Sequence, residues 1–260
     1  MLLIGNSRYS DSVPDIPVLD EKSFDEEKAK EDIVLEFAGS ELALHYTGSN
    51  ANVLRNGTVI DEYDIVGVNG ENPDRNHGSA SLLPDGSLFS IRLGDRIAIA
   101  VGGVTDGESA RAAAEKALSG VVDFERFEYC EVTETDPDSG DLSYDILWYN
   151  KVGDVTSFER ARAHISEGKA ITSVNMQYNL DLGMNEAPQD LSFESYLPRF
   201  ENKLNEVYGD RMASHEPLSV TLTRINGELC VYVYFGVDIN KDDGSVSTGE
   251  RCMLAAPLDH

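Results

Sequence analysis

The chain is poor in cations: 21 Lys and Arg stand against 47 Asp and Glu, for a formal net charge of -26. A field of that sign repels phosphate backbones and anionic lipid head groups, so binding to nucleic acid or to a membrane surface through a basic patch is disfavoured. Cationic partners, metal ions and neutral ligands stay open. Cysteine is equally scarce. Cys130, Cys230 and Cys252 are too few and too widely spaced for a disulfide framework or a CxxC-type zinc site. No apolar run approaches the roughly 18 residues that a membrane-spanning helix needs, so the sequence predicts a soluble chain without membrane insertion.

Catalytic signatures are missing too. There is no Gly-x-Ser-x-Gly elbow to present a nucleophilic serine and no His-Glu-x-x-His pair to hold zinc. The run Gly102-Gly103-Val104-Thr105-Asp106-Gly107-Glu108-Ser109, between a strand and a helix, has the outline of a phosphate-binding loop. That chemistry needs a lysine where Glu108 stands, and a carboxylate there repels the phosphates. One cysteine with scattered histidines is too little for a thiol enzyme. Paired carboxylates of the glycosidase kind cannot be picked from 47 acids, because their separation of roughly 5 to 9 Å is a property of the fold. No catalytic residue is therefore nominated, and the expectation leans towards a protein that is not an enzyme.

What is present is an ordinary globular composition, with 41% hydrophobic and 26% charged residues. At 260 residues the chain sits near the length at which one core divides into two. Residues 1–32 carry Val13-Pro14, Ile16-Pro17 and a charged run, and read as a tail or linker. Met1-Leu2-Leu3-Ile4 reads either as a start or as the stub of a trimmed export segment. The remainder divides into a strand-rich lobe over 33–155 and a second lobe over 156–260, or forms one continuous domain over 33–260.

Short strands are expected at Ile33 to Phe37, Leu42 to Tyr46 and Thr58 to Val68, the last after an Asn56-Gly57 turn. A hairpin of Ser87 to Leu93 with Arg96 to Val101 follows, around Gly94-Asp95. Ala110, Ala113, Ala114, Ala117 and Leu118 lie at helical spacing behind a Thr105/Glu108 capping box. Strands at Phe124 to Thr133 and Leu142 to Tyr149 flank an acidic tip. Thr156 and Glu159 open a second helix that stops at Gly168, and Lys169 to Asn179 reads as a strand. A third helix starts near Pro198 and ends at Gly209. Ser219 to Ile225, Glu228 to Val237 and Ser245 to Ala256 close the chain as strands. The fold class is thus α+β, mainly antiparallel sheets with about three amphipathic helices, and the recurrence of helix then hairpin allows two similar lobes.

Several residues could form sites, each beside a plainer reading. Asp238-Ile239-Asn240-Lys241-Asp242-Asp243-Gly244 with Glu250 puts oxygen ligands at alternate positions, as an EF-hand loop does. The glycine falls one place late, Glu250 one residue too far, and the flanks are strands. Asp238, Asn240 and Asp242, with Asp136, Asp138 and Asp141 at the other acidic tip, are therefore turn formers first and weak calcium ligands at most; no other cofactor is indicated. His77, in the polar run Asp74-Arg75-Asn76-His77-Gly78, is either a functional loop residue or a solvated one. Trp148, Tyr232 and Tyr234 could line a surface for peptide or sugar, or lie under another layer. On the strand from Glu228 to Val237, the residues Leu229, Val231, Val233, Phe235 and Val237 share one face, with Tyr232 and Tyr234 on the other. Cys230 and Cys252 sit 11 residues either side of Lys241, so a hairpin centred there would bring them into disulfide reach, whereas a later centre would not.

These readings favour a non-catalytic bacterial domain, extracytoplasmic or surface-tethered in the cell envelope, that binds a protein, peptide or glycan. The alternative is a cytoplasmic acidic inhibitor or immunity-type protein that neutralises a basic partner. A carboxylate-based hydrolase ranks third.

Overall fold

The computed structural model describes residues 2–7, 31–51, 56–71, 78–94, 97–135, 142–180, 182–241 and 243–258. It is a mainly β protein. The strands are β1 (Leu2–Ser7), β2 (Ile33–Phe37), β3 (Ser40–Ala51), β4 (Val59–Val68), β5 (Gly78–Leu82), β6 (Leu88–Leu93) and β7 (Ile99–Ala100). After α1 (Gly107–Leu118) come β8 (Tyr129–Thr135), β9 (Ser143–Val152), β10 (Val155–Ser166) and β11 (Ala170–Met176). Helix α2 (Phe193–Tyr208) then leads to β12 (Met212–Ile225), β13 (Glu228–Asn240) and β14 (Val246–Pro257).

All fourteen strands belong to one branched sheet, with the main order β1-β14-β13-β12-β10-β11-β6-β5-β4-β3-β2. The branch point is β10. Its first residues pair in parallel with β12 (Thr156 with Thr221), its later ones antiparallel with β11 (Arg162 with Asn175), and β9 runs along its other edge. β8 extends that edge by pairing with β9.

Two hydrophobic cores follow from this branching. In the first, α1 packs on β8, β9 and β10, with Ala110, Ala114 and Leu118 fully buried against Ile146, Trp148, Ala163 and Ile165. The alanine stripe lets the helix lie close, as its spacing predicts. Its cap differs from the expected one: Asp106, not Thr105, is the N-cap, accepting from the Ser109 N–H at 2.8 Å while Ser109 Oγ closes the reciprocal bond. In the second core, α2 covers β12, β13 and β14 with Tyr196, Phe200, Leu204 and Tyr208, an i, i+4 stripe that meets Val233, Phe235 and Leu254. β10 serves both cores: Val155 and Phe158 lie in the second, Ala161, Ala163 and Ile165 in the first. The boundary expected at 155/156 therefore falls at the start of a shared strand.

Several expectations are corrected. The segment 156–168 is not a helix. Its burial alternates, with Ala161, Ala163 and Ile165 inward and Arg160, Arg162 and His164 outward, a period of two that only a strand satisfies. Glu167 and Gly168, at φ 52° and 60°, turn it directly into β11. The described residues thus hold two α-helices, where three were expected. Helix α2 begins at Phe193, so Pro198 lies inside it, where its missing N–H leaves the Glu194 carbonyl without the usual partner. The end at Gly209 agrees.

The expected hairpin of 87–101 does not form. β6 pairs instead with β5, through the Pro84-Asp85-Gly86 turn, and β7 is two residues long and pairs with β11. Leu2–Ser7, expected in a tail, adds β1 to the edge of β14; residues 8–30 of that segment lie outside the described residues. Among the described residues no helix is long and apolar enough to cross a membrane.

Candidate functional site

Because side chains alternate across a strand, the sheet around the first core has a second face opposite α1. Nearly every residue there is polar. Strand registers place its side chains in rows that cross the sheet. One row runs Asp64, Ser79, Arg92, Ser173, His164 and Asp145, from β4 through β5, β6, β11 and β10 to β9. The next runs Glu62, Ser81, Ser90, Asn175 and Arg162. Gln177 and Arg160 face each other beyond Arg162, with Tyr149 and then Tyr129 across from Arg160 on β9 and β8.

Short side chains in the middle strands and long ones around them leave a hollow. The groove measures about 910 Å³ and is lined by Ser79, Ser90, Arg92, Asp145, Arg160, Arg162, His164, Ser166, Thr172, Ser173, Asn175 and Gln177, with Ile91, Leu93 and Val174, whose side chains are buried in the first core, also at its wall. In a chain with a net charge of -26, four of the side chains around this one hollow are cationic or can become so.

Their hydrogen bonding is uneven. Asp145 accepts from Arg162 Nη2 at 2.5 Å and faces His164 Nδ1 at 3.0 Å, so a single carboxylate holds two of the four. Burial pushes the Asp145 carboxyl upward, but the bonds from Arg162 and His164 outweigh that and hold it below the ordinary aspartate range. Arg160 has a neutral partner: its Nε donates to Gln177 Oε1 at 2.7 Å, and its guanidinium stands 5.7 Å from the Phe158 ring centre. Burial and the neighbouring Arg162 charge lower its pKa from the ordinary arginine value. Arg92 has no carboxylate within ion-pair distance among the described residues.

Towards β4 the face is hydroxyl-rich and self-satisfied. Ser81 donates to Glu62 Oε2 at 2.6 Å, Asn50 to Glu62 Oε1 at 2.6 Å, and Ser90 to Ser81 at 3.1 Å. At the opposite edge Tyr129 and Tyr149 stack with ring centres 5.5 Å apart, and Lys151 Nζ stands 5.4 Å from the Tyr129 ring centre.

The residues nominated from sequence lie elsewhere. Trp148 is a core residue at 2% exposure; its Nε1 donates to Glu115 Oε1 at 3.0 Å and its ring meets Phe124. β9 turns Trp148 towards α1 and its neighbour Tyr149 to the opposite face, beside Tyr129. On β13 the two faces divide as expected, but Tyr232 is buried with Ile225, Cys230 and Ala255 in a small apolar cluster, and so is no open surface. Tyr234, on the same face, is half-buried with the Arg251 guanidinium 5.7 Å from its ring centre. His77, Asp136, Asp138, Asp141 and Asp242 lie outside the described residues.

Asp238 accepts from Ser214 Oγ at 2.7 Å, and Asn240 is exposed at the end of β13. In the turn beyond, Asp243 accepts from the Ser245 N–H and Oγ, at 2.9 and 2.6 Å, which is turn chemistry. No three of His, Cys, Asp and Glu among the described residues are grouped so as to hold a metal ion.

The disulfide geometry fails. Cys230 pairs across β13 and β14 with Pro257, and Cys252 with Phe235, because a bulge between Val237 and Ile239 and a late tip shift the pairing centre past Lys241. The two cysteines then point to opposite faces, Cys252 into the second core and Cys230 into the small cluster behind it. Both are free thiols, and burial pushes each up to about 11, so neither is a thiolate at neutral pH.

Sequence reasoning missed Arg160, Arg162 and His164. The alternation Glu159-Arg160-Ala161-Arg162-Ala163-His164-Ile165 carries the signal, with cations at every second position and small or apolar residues between, but a Thr156/Glu159 capping pattern obscured it. No family model, curated protein or solved structure matches the chain, so the groove is read from its own chemistry.

Proposed function

We propose that this chain is a non-catalytic binding protein that presents the polar second face of its first sheet to a protein, peptide or glycan partner. The observation that carries the reading is the 910 Å³ groove on that face. A sheet face that evolves only to meet water needs no hollow, and long cations leaning over a floor of serines and an asparagine give a ligand both charge and directional hydrogen bonds. Asp145 is engaged by Arg162 and His164, and among the described residues no hydrogen bond joins His164 to its cross-strand neighbour Ser173, so the reading is of a binding face and not of an activated serine. An extracytoplasmic or envelope location belongs to the same proposal and rests on the sequence alone; the free Cys230 and Cys252 lend it no support.

Titrating isotope-labelled protein with a panel of oligosaccharides and short peptides tests the reading through backbone amide shifts. Binders should move Ser79, Ser90, Arg92, Arg162, Ser173 and Asn175 and leave the α2 face still. The proposal fails if bound panel members perturb another face, if they are turned over, or if nothing in the panel binds below about 1 mM, the weak end of specific recognition.

A further inference from the structure

We propose that the groove is an oxyanion site, in which Arg160 and Arg162 bracket one carboxylate, sulfate or phosphate group of a small ligand and Arg92 receives a second. The inference deepens the binding role just proposed and rests on it.

Three observations lead there. The first is the counter-charge deficit. Among the described residues Arg160 is hydrogen-bonded only to the neutral Gln177 amide; it is stripped of much of its water and sits two residues from Arg162 on the same face. Like charges at that spacing, about 7 Å along a strand, repel unless an anion lies between them. Asp145 cannot serve both, since it is already bonded to Arg162 and His164 on the side away from Arg160.

The second observation is the floor. Ser173 and Asn175 supply neutral donors on the floor beside the guanidinium groups, so an oxygen placed near the arginines finds hydroxyl and amide protons there. The division of labour is consistent: Asp145 fixes the orientation of Arg162 and His164, while Arg160 and Arg92, which have no carboxylate partner among the described residues, meet the ligand together with Arg162.

The third is reach. Arg92 lies two strands and four residues from Arg160 in the register, an α-carbon separation of about 16 Å from standard strand spacings. Two long side chains leaning inwards from that distance can engage two anionic groups on one small molecule. A polyanion is a poor occupant, because beyond the groove it meets a surface whose total charge is -26. A compact ligand with one to three oxyanion groups meets the cations without that repulsion.

Calorimetric titration with inorganic phosphate, sulfate and citrate tests the proposal and separates the sources of the oxyanion. Saturable binding is expected for at least one of the three, with citrate tightest if Arg92 takes a second group. Arg160→Gln should weaken binding by about tenfold or more, as loss of a charge-assisted fork does. Ser173→Asp, an exposed-face change that leaves both cores intact, should abolish binding by placing a carboxylate on the floor, and stands in for Arg160→Gln should that variant not fold. The site is refuted if none of the three anions saturates, or if affinity is unchanged in either folded variant. Should neutral glycans or peptides still shift the amides of this face when the anions do not bind, the binding face survives and only its oxyanion chemistry falls. Ligand-induced shifts on another face would remove both.

Discussion

The two halves of this sheet are built alike on one side and oppositely on the other. Each packs a single helix against antiparallel strands, α1 in the first core and α2 in the second. Behind the first core the reverse face carries Arg92, Arg160, Arg162, His164 and a bed of serines around an open groove. Behind the second, the corresponding face of β12, β13 and β14 carries Ile225, Cys230, Tyr232 and Ala255, all buried. A sheet face can therefore be finished either with apolar contact or with a polar array, and the choice sets what that half can do. The apolar finish adds stability. The polar finish leaves a surface free to meet a ligand.

Substitutions on the two reverse faces are the sharpest way to break this comparison. Tyr232→Ala should destabilise by about 2–4 kcal/mol in denaturant unfolding, because a buried aromatic is removed from a packed cluster. Ser173→Ala, on the partly exposed first reverse face, should change stability by less than about 0.5 kcal/mol, as surface substitutions do. Similar costs at the two sites would mean that the faces are not finished differently.

A smaller effect tests how the halves are joined. The turn between β9 and β10 feeds α2: the Phe193 N–H donates to Asp154 Oδ1 at 2.7 Å, Ser192 Oγ bonds Asp154 Oδ2 at 3.2 Å, and the Asp154 N–H donates to Leu191 O at 3.1 Å. Asp154 thus caps a helix that begins 39 residues later in the chain. Asp154→Ala should cost about 1 kcal/mol, the usual value of a lost cap, although the residue lies outside α2. Wild-type stability in that variant would show that α2 is held by its apolar stripe alone.

The smallest expected effect is electrostatic and confined to the first half. The folded-state pKa of Asp145 lies below its ordinary value, so its contribution to stability is fully present above the ordinary aspartate pKa, about 3.9. It is lost as pH falls through the lower folded value. Wild type should therefore exceed Asp145→Asn in stability at neutral pH, and the gap should close under acid, measured as thermal midpoints down a pH series. A gap that widens under acid would reverse the sign and remove Asp145 as the anchor of Arg162 and His164.

Much of the strand structure was legible because short-range chemistry decides it. Ile33–Phe37 coincides with β2, the Asn226-Gly227 turn joins β12 to β13, and the alternation on β13 puts Val231, Val233, Phe235 and Val237 on one buried face. The alanine stripe of α1 was readable for the same reason. The groove was not. Its residues come from β5, β6, β9, β10, β11 and the turn that follows β11, and no local pattern records that Arg92 and His164 flank the same serine.

The sequence alone determined the acidity, the period-two patterning of most strands, helices α1 and α2 and the absence of familiar catalytic motifs. Tertiary structure decided the rest. It drew 156–166 into a strand against its capping pattern, because an extended β10 buries Ala161, Ala163 and Ile165 on one side and lets β9, β11 and β12 take up its backbone hydrogen bonds. It separated Cys230 from Cys252, because a tip centred past Lys241 moves the pairing along the hairpin and one bulge then turns the two side chains to opposite faces. It also gathered a few cations of an acidic chain around one hollow, because net charge is a sum over the surface whereas a binding site depends on which charges the strands bring side by side.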